Sequence, residues 1–207
     1  MRRSRFITFE GGEGAGKSTQ VKLLVESLAQ AGIAAIATRE PGGSPGAEAI
    51  RKLILGGEPD SWDAESEALL MVAARRDHLR ATIWPALAAG RWVVCDRFAD
   101  STLAYQGAGR GLKVERLHAL HRFIADGFAP DLTLILDLPV AAGLARAADH
   151  TRFERMDRDF HERMRQGFLA IAREDPKRCA VIDAGRDLAA VRQAVKALVR
   201  ERLGVAL

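Results

Sequence analysis

Residues 11–18 read Gly-Gly-Glu-Gly-Ala-Gly-Lys-Ser, a complete G-x-x-x-x-G-K-[ST] match directly behind the apolar run Phe6-Ile7-Thr8-Phe9. Such a loop works only between a strand that delivers its glycines to a tight turn and a helix that starts at the Lys-Ser pair. The flanks comply. Val21, Leu24, Val25 and Leu28 recur at helical spacing, and Gly32 is placed to end that helix. The loop residues Gly11, Gly12, Glu13, Gly14, Ala15, Gly16, Lys17, Ser18 and Thr19 are expected to cradle phosphates with backbone N–H groups at the helix N-terminus. Lys17 is expected to reach the β/γ-phosphates, and the Ser18 hydroxyl to ligate Mg²⁺. A glycine-rich turn without a ligand is the bland alternative, and the intact motif with both flanks speaks against it. The ligand implied is a nucleoside triphosphate.

Short apolar runs and helical patterns alternate along the rest of the chain. Strands are predicted over 5–10, 33–38, 91–96, 131–137 and 179–183, and helices near 18–31, 45–55, 63–89, 113–126, 139–148, 157–174 and 187–203. The near-continuous apolar runs Trp92-Val93-Val94-Cys95 and Leu132-Thr133-Leu134-Ile135-Leu136 suggest burial on both faces, as in a parallel sheet. The expected architecture is a three-layer α/β P-loop NTPase fold: a five-stranded parallel sheet flanked by helices, with ligands at the carboxyl ends of the strands. No repeat, low-complexity tract or linker divides the 207 residues, so one domain over 1–207 is expected.

Composition excludes several classes. A net charge of +4 with dispersed basic residues gives no charge-based indication of nucleic-acid binding. No apolar stretch approaches the length of a membrane span, and no signal-type segment follows the basic Met-Arg-Arg-Ser-Arg start. Cys95 and Cys179 lack paired spacing and read as small core residues, consistent with a reducing cytoplasm. His118 and His121 stand at i, i+3 without an evident third metal ligand, and His78, His150 and His161 read as surface or packing residues.

The remaining polar signals cluster just after predicted strands. Asp96-Arg97-Phe98 ends the 91–96 run, where an acidic residue beside a phosphate-loop strand is usually the carboxylate that helps organise the surroundings of Mg²⁺ and an arginine can grip phosphate bidentately. A surface Asp–Arg pair is the alternative. Arg39-Glu40-Pro41-Gly42-Gly43 forms a rigid charged turn after 33–38, and Asp100, Ser101, Tyr105 and Gln106 offer directional hydrogen bonds.

These motifs together resemble bacterial thymidylate kinase, a P-loop nucleoside monophosphate kinase family. The likeness rests on Thr38-Arg39-Glu40-Pro41-Gly42-Gly43, Asp96-Arg97-Phe98-Ala99-Asp100-Ser101, Ala104-Tyr105-Gln106-Gly107 and Gly11 through Thr19. It continues through Pro130 to Asp137 and Ile182-Asp183-Ala184, covering nearly the whole chain in order. The resemblance implies transfer of the γ-phosphate of ATP to dTMP, giving dTDP and ADP for dTTP synthesis, with Mg²⁺ and in a homodimer. It implies that Glu13 faces the acceptor sugar, that Arg97 holds the acceptor phosphate, that Arg75 addresses the thymine edge and that Arg51 lies near the acceptor phosphate. Arg39, Pro41, Ser101, Tyr105 and Gln106 complete the implied dTMP pocket, with Tyr105 packed against C2′ so as to exclude ribonucleotides. Arg75 and Arg51 could instead be exposed helix arginines.

Two positions depart from the family pattern. Met71 stands where a phenylalanine usually stacks on thymine; a thioether can still cover the ring face. The lid, expected over about 143–158 as a short helical segment, is shorter than usual and lacks its common glycine. Because Gly14 and Ala15 leave the loop without a basic residue beyond Lys17, the resemblance implies that the lid supplies a catalytic arginine. Arg152, in the Arg-x-Glu step with Glu154, is the first choice, followed by Arg146 and Arg155; a solvated arginine face is the alternative. Two other functions keep a place: a P-loop kinase of a different acceptor, and a nucleotide switch indifferent to any acceptor.

Overall fold

The computed structural model describes residues 3–147 and 151–207. Positions 148–150, including His150 and part of the expected lid, lie outside the described residues.

Five strands, β1 (Phe6–Glu10), β2 (Ala35–Arg39), β3 (Trp92–Asp96), β4 (Leu132–Asp137) and β5 (Cys179–Asp183), form one parallel sheet in the order β2-β3-β1-β4-β5. Each lies within two residues of its predicted bounds. The sheet is buried on both faces because its side chains divide with period two. Ile7, Phe9, Trp92, Val94, Leu132, Leu134 and Leu136 face one way, onto α1 (Lys17–Gln30) and α9 (Leu188–Leu203) through Val21, Leu24, Leu28, Val191, Val195 and Val199. Phe6, Val93, Cys95 and Ile135 face the other way, toward α3 (Ala64–His78), α6 (Val114–Ala125) and α8 (Arg158–Glu174). Cys95 and Cys179 are both buried, as their strand-edge positions predict.

The remaining helices are α2 (Pro45–Leu55), α4 (Trp84–Ala88), α5 (Ala99–Thr102) and α7 (Val140–Arg146). The helix predicted over 63–89 is continuous but widens into a π-helical turn at Leu79–Ile83. Pro85 explains the widening: it has no N–H for the regular ladder, and its ring crowds the preceding turn. No helix is predicted over 99–109, yet α5 runs into a second π-helical turn at Leu103–Gly109. Its buried residues include Asp100, Thr102 and Gln106, so polar contacts replace the apolar period that sequence reading looks for.

Strand register positions the chemistry. Phe9 pairs with Asp96, and Asp96 pairs in turn with Arg39. The carboxyl ends of β1, β2 and β3 therefore converge where the glycine-rich loop leaves the sheet.

Candidate active site

The loop after β1 is shaped by two close approaches. Gly11 takes φ +130°, and a Cβ there would meet the Leu136 carbonyl oxygen at 2.3 Å. Gly14 takes φ +65°, and a Cβ there would meet the Gly143 carbonyl oxygen of α7 at 2.0 Å. Only glycine satisfies both the torsion and the space. The turn delivers Lys17 and Ser18 to the first turn of α1. Lys17 Nζ donates to the Gly12 carbonyl at 2.7 Å, and Ser18 Oγ donates to Asp96 Oδ2 across the β1–β3 pair. Burial and the positive charge of Arg97 push the Lys17 ammonium down to about 8, against the pull of Asp96, Glu13 and Glu10.

A cleft of about 460 Å³ continues from this loop to a second group of side chains. Lys17, Ser18, Thr19 and Arg146 line one end; Met71, Arg75, Ser101, Tyr105 and Gln106 line the other. Arg97 stands between. Its Nη2 bonds both Glu13 carboxylate oxygens at 3.3 Å, and its Nη1 donates to the Gly11 carbonyl at 2.8 Å and to Ser101 Oγ at 3.2 Å. The guanidinium lies 4.9 Å from the centre of the Tyr105 ring, and the Tyr105 hydroxyl donates to Glu13 Oε1 at 2.5 Å. Burial pushes Glu13 up, but Arg97, Lys17 and the Tyr105 hydrogen bond outweigh it and hold the carboxyl below its ordinary value. Burial and the neighbouring Glu13 keep Tyr105 well above a normal phenol.

Arg75 is buried, not an exposed helix arginine. Its Nε donates to Glu40 Oε2 at 2.7 Å, and its Nη2 donates to the Phe98 carbonyl and Thr102 Oγ1. His78 is fully buried beside it, 3.0 Å from Glu40 and 2.6 Å from Thr38. Arg51 lines the cleft and donates to the Pro41 carbonyl at 2.7 Å, which ties α2 to the Glu40-Pro41 turn. Arg39 also reaches the cleft but pairs with Glu48 at 3.1 Å on the surface. Gln106 donates to Glu67 at 2.7 Å.

Arg152, the first choice for the lid arginine, does not line the cleft beside the loop. Its side chain is fully buried, donates to the carbonyls of Ile54 and Pro59, and pairs with the equally buried Glu67. The physical reason is the carboxylate of Glu67: a wholly buried anion holds the nearest guanidinium. Arg155 is drawn to the same side, to Glu58 and the Gly57 carbonyl. Arg146, by contrast, lies on α7 against the glycine loop, where its Cβ is 3.1 Å from a Cβ built on Gly14, and it lines the cleft with Lys17 and Ser18. Within the lid segment, Phe153 packs edge-on against Tyr105 with ring centres 5.4 Å apart.

Sequence reading did not single out Glu10, Glu67 or Arg178. Glu10 is wholly buried at the end of β1, and Arg178 grips Asp100 through two hydrogen bonds. A charged residue closing an otherwise apolar strand was the available signal for Glu10.

Comparison with known proteins identifies the family. The sequence profile of the family described as Thymidylate kinase matches residues 9–195. A thymidylate kinase of Caulobacter vibrioides is 54% identical over 208 residues, covering 99% of this chain and 100% of the relative. One from Ruegeria pomeroyi is 53% identical over 205 residues, covering 96% of this chain and 95% of the relative. The crystal structure of thymidylate kinase from Ehrlichia chaffeensis superposes with a TM-score of 0.78 at 36% identity, covering 95% of this chain and 98% of that one. With a family match across most of its length and relatives more than half identical end to end, the chain belongs to the thymidylate kinase family.

Proposed function

We infer from family membership and the two-ended cleft that this protein transfers the γ-phosphate of ATP to dTMP, giving dTDP and ADP. The observation that carries the reading is the placement of Arg97 and Glu13 midway along one cleft. A phosphate loop lies at one end of it, and at the other lies a pocket built from Arg75, Ser101, Tyr105 and Gln106. Phosphoryl transfer asks the protein for alignment and charge compensation, and little covalent chemistry.

Lys17 and the loop amides from Gly11 to Thr19 hold the donor phosphates. Lys17, released from the Gly12 carbonyl, has its proton retained by the phosphate charge it then faces. Arg97 takes the acceptor phosphate in place of its present contact with Glu13, and the freed Glu13 carboxylate receives the acceptor sugar hydroxyl. Tyr105 floors the sugar, Arg75 and Gln106 meet the base edge, and Met71 covers its face. Arg51, Arg39 and Pro41 border the acceptor phosphate. Arg146 replaces Arg152 as the lid cation that compensates charge on the transferring group.

Ser18 hydroxyl and Asp96 carboxylate are hard oxygen donors in direct contact, a pair that suits Mg²⁺. Ser18 and Asp96 would hold the ion, which when bound neutralises charge on the donor phosphates.

A homodimer in the cytoplasm completes the proposal. The neighbouring helices α2, α3 and α6 leave Leu53, Leu69 and Phe123 exposed, with Phe123 88% accessible, a face suited to a second copy. No helix among the described residues is long and apolar enough to cross a membrane.

A coupled assay across dTMP, dUMP, UMP, AMP and thymidine tests the reaction. Preference for dTMP is expected. Equal turnover of several acceptors would support a broader nucleotide kinase, and ATP loss indifferent to any acceptor would support a switch.

A further inference from the structure

Arg97 occupies the left-handed region at φ +71°, one of two non-glycine residues with positive φ among those described. Such a torsion costs a non-glycine residue roughly 1–3 kcal/mol and persists only where its surroundings over-determine it. The surroundings here converge on one side chain. Glu10 Oε1 accepts from the Phe98 backbone N–H at 2.7 Å, immediately after the strained residue. Glu10 Oε2 accepts from Ser101 Oγ at 2.5 Å, and that same hydroxyl accepts from Arg97 Nη1 at 3.2 Å. The Arg97 backbone N–H is held separately by the Phe9 carbonyl at 2.8 Å. Glu10 and Phe98 are both fully buried, so water cannot substitute for the carboxylate.

We propose that Glu10 is a positioning residue for acceptor-phosphate recognition: its carboxyl group pins the Arg97–Phe98 turn and Ser101, and thereby aims the Arg97 guanidinium at the acceptor phosphate. The inference rests on the dTMP kinase reading above. Burial and the nearby Asp100 carboxylate push Glu10 up to about 8, so a neutral side chain of the same shape is a close mimic near neutral pH. Glutamine supplies it: its carbonyl oxygen accepts from Phe98 N–H, and its amide donates to Ser101 Oγ.

The test is equilibrium binding of dTMP, thymidine and ATP to the wild type, Glu10→Ala and Glu10→Gln. In Glu10→Ala the dTMP dissociation constant rises about 10-fold, the scale of one lost charge-assisted hydrogen bond. Thymidine, which has no phosphate, and ATP, which is held by the loop, change less than about 2-fold, well under the 1.4 kcal/mol of a tenfold change. Glu10→Gln restores dTMP binding to within about 3-fold of wild type, under 1 kcal/mol. Equal weakening of all three ligands in Glu10→Ala, or unaltered dTMP binding, overturns the proposal. So does failure of Glu10→Gln to restore it. If Glu10→Ala is recovered unfolded, Glu10→Asp takes its place with the same expectations, since the shorter chain cannot span both donors. A wild type that binds dTMP no better than thymidine would overturn the kinase reading itself, an outcome distinct from failure of the Glu10 variants.

Discussion

Arg152 and Glu67 form an ion pair in which neither side chain reaches solvent. The guanidinium also caps the carbonyls of Ile54 and Pro59, so it fastens the lid segment to the end of α2 and the loop that follows. A residue so engaged acts on stability first. Arg152→Ala leaves the buried Glu67 carboxylate with only the Gln106 amide and the more distant Arg110, 3.9 Å away, a loss toward the low end of about 3–5 kcal/mol. A lowered Tm is therefore expected, with kcat of the folded fraction within about tenfold of wild type, a barrier change of about 1.4 kcal/mol. Arg146→Ala should do the reverse: a Tm lowered only slightly, since the residue is exposed and gives up one hydrogen bond, to the Ala184 carbonyl, and kcat reduced by about 10³-fold, the scale of supplied arginines in phosphoryl transfer. Thermal melts and steady-state kinetics on the two variants separate the roles; the opposite pattern would return the catalytic role to Arg152.

Lys17 carries a pH signature. Its ammonium is depressed from 10.5 to about 8 by burial and by Arg97, a penalty that donor phosphates reverse. ATP binding at pH 8 to 9 should therefore take up a proton on Lys17, whereas at pH 6.5 Lys17 is already charged and takes up none. Calorimetry of the wild type and Lys17→Met in buffers of different ionisation enthalpy reads this directly. Lys17→Met should abolish the pH 8 uptake and cut turnover severely while leaving the fold intact. Equal uptake in both proteins would place the proton elsewhere.

Glu10 gives the opposite sign in a lower window. Its folded value near 8 lies above the ordinary 4.5, so the stability it contributes is complete below pH 4.5 and is lost as pH rises through 8. Burial is the chief cause and the Asp100 charge adds to it; the Ser101 hydrogen bond, Arg97 and the Phe98 N–H oppose it without reversing it. Glu10→Gln cannot ionise. The Tm of the wild type relative to Glu10→Gln should therefore fall steadily from pH 5 to pH 8.5; a pH-independent gap would mean that Glu10 is ionised throughout.

The fold was legible because its elements obey local rules. Ile7 and Phe9 alternate with Phe6 across the sheet, and Lys17 starts a helix behind a loop that only glycine can trace. The cleft residues at strand ends were legible for the same reason, since Asp96 must lie beside the loop once β3 pairs with β1. What escaped was set by burial between distant segments. Glu67 lies 85 residues from Arg152, and no local pattern announces that an arginine in the turn of the lid segment will be drawn inward by that carboxylate. The helical stretch from Ala99 to Gly109 escaped because Arg178, far along the chain, satisfies Asp100, leaving polar side chains at positions where an apolar stripe would be sought.

Met71 tests the pocket from the base side. It lines the cleft while packing against the cluster that includes Tyr105 and Phe153. Met71→Phe would present an aromatic face to the base, and an aromatic pair contributes about 0.5–1.5 kcal/mol beyond its buried area. The KM for dTMP should fall by about 3- to 10-fold on that scale, with the KM for ATP unaltered. An unchanged dTMP KM would assign Met71 to the core alone.

The contact between α7 and the glycine loop offers a test of how Arg146 is held. A Cβ on Gly143 would meet the Glu13 carbonyl oxygen at 2.5 Å, backbone against side chain, with no flexible group to yield. Gly143→Ala must therefore push α7 away from the loop, and Arg146 travels with it, because it lies on the next turn of the same short helix. The acceptor end of the cleft is built mainly from α3 and the Ala99–Gly109 stretch; of its residues Glu13 touches α7, and through its backbone carbonyl, not its carboxylate. The expected outcome is a fall in kcat approaching that of Arg146→Ala, with dTMP binding within about 2-fold of wild type, less than 0.5 kcal/mol. Combining Gly143→Ala with Arg146→Ala should then add little, because both remove one interaction and coupled changes are not additive. If the double variant instead loses the product of the two effects, α7 contributes to catalysis through something other than Arg146.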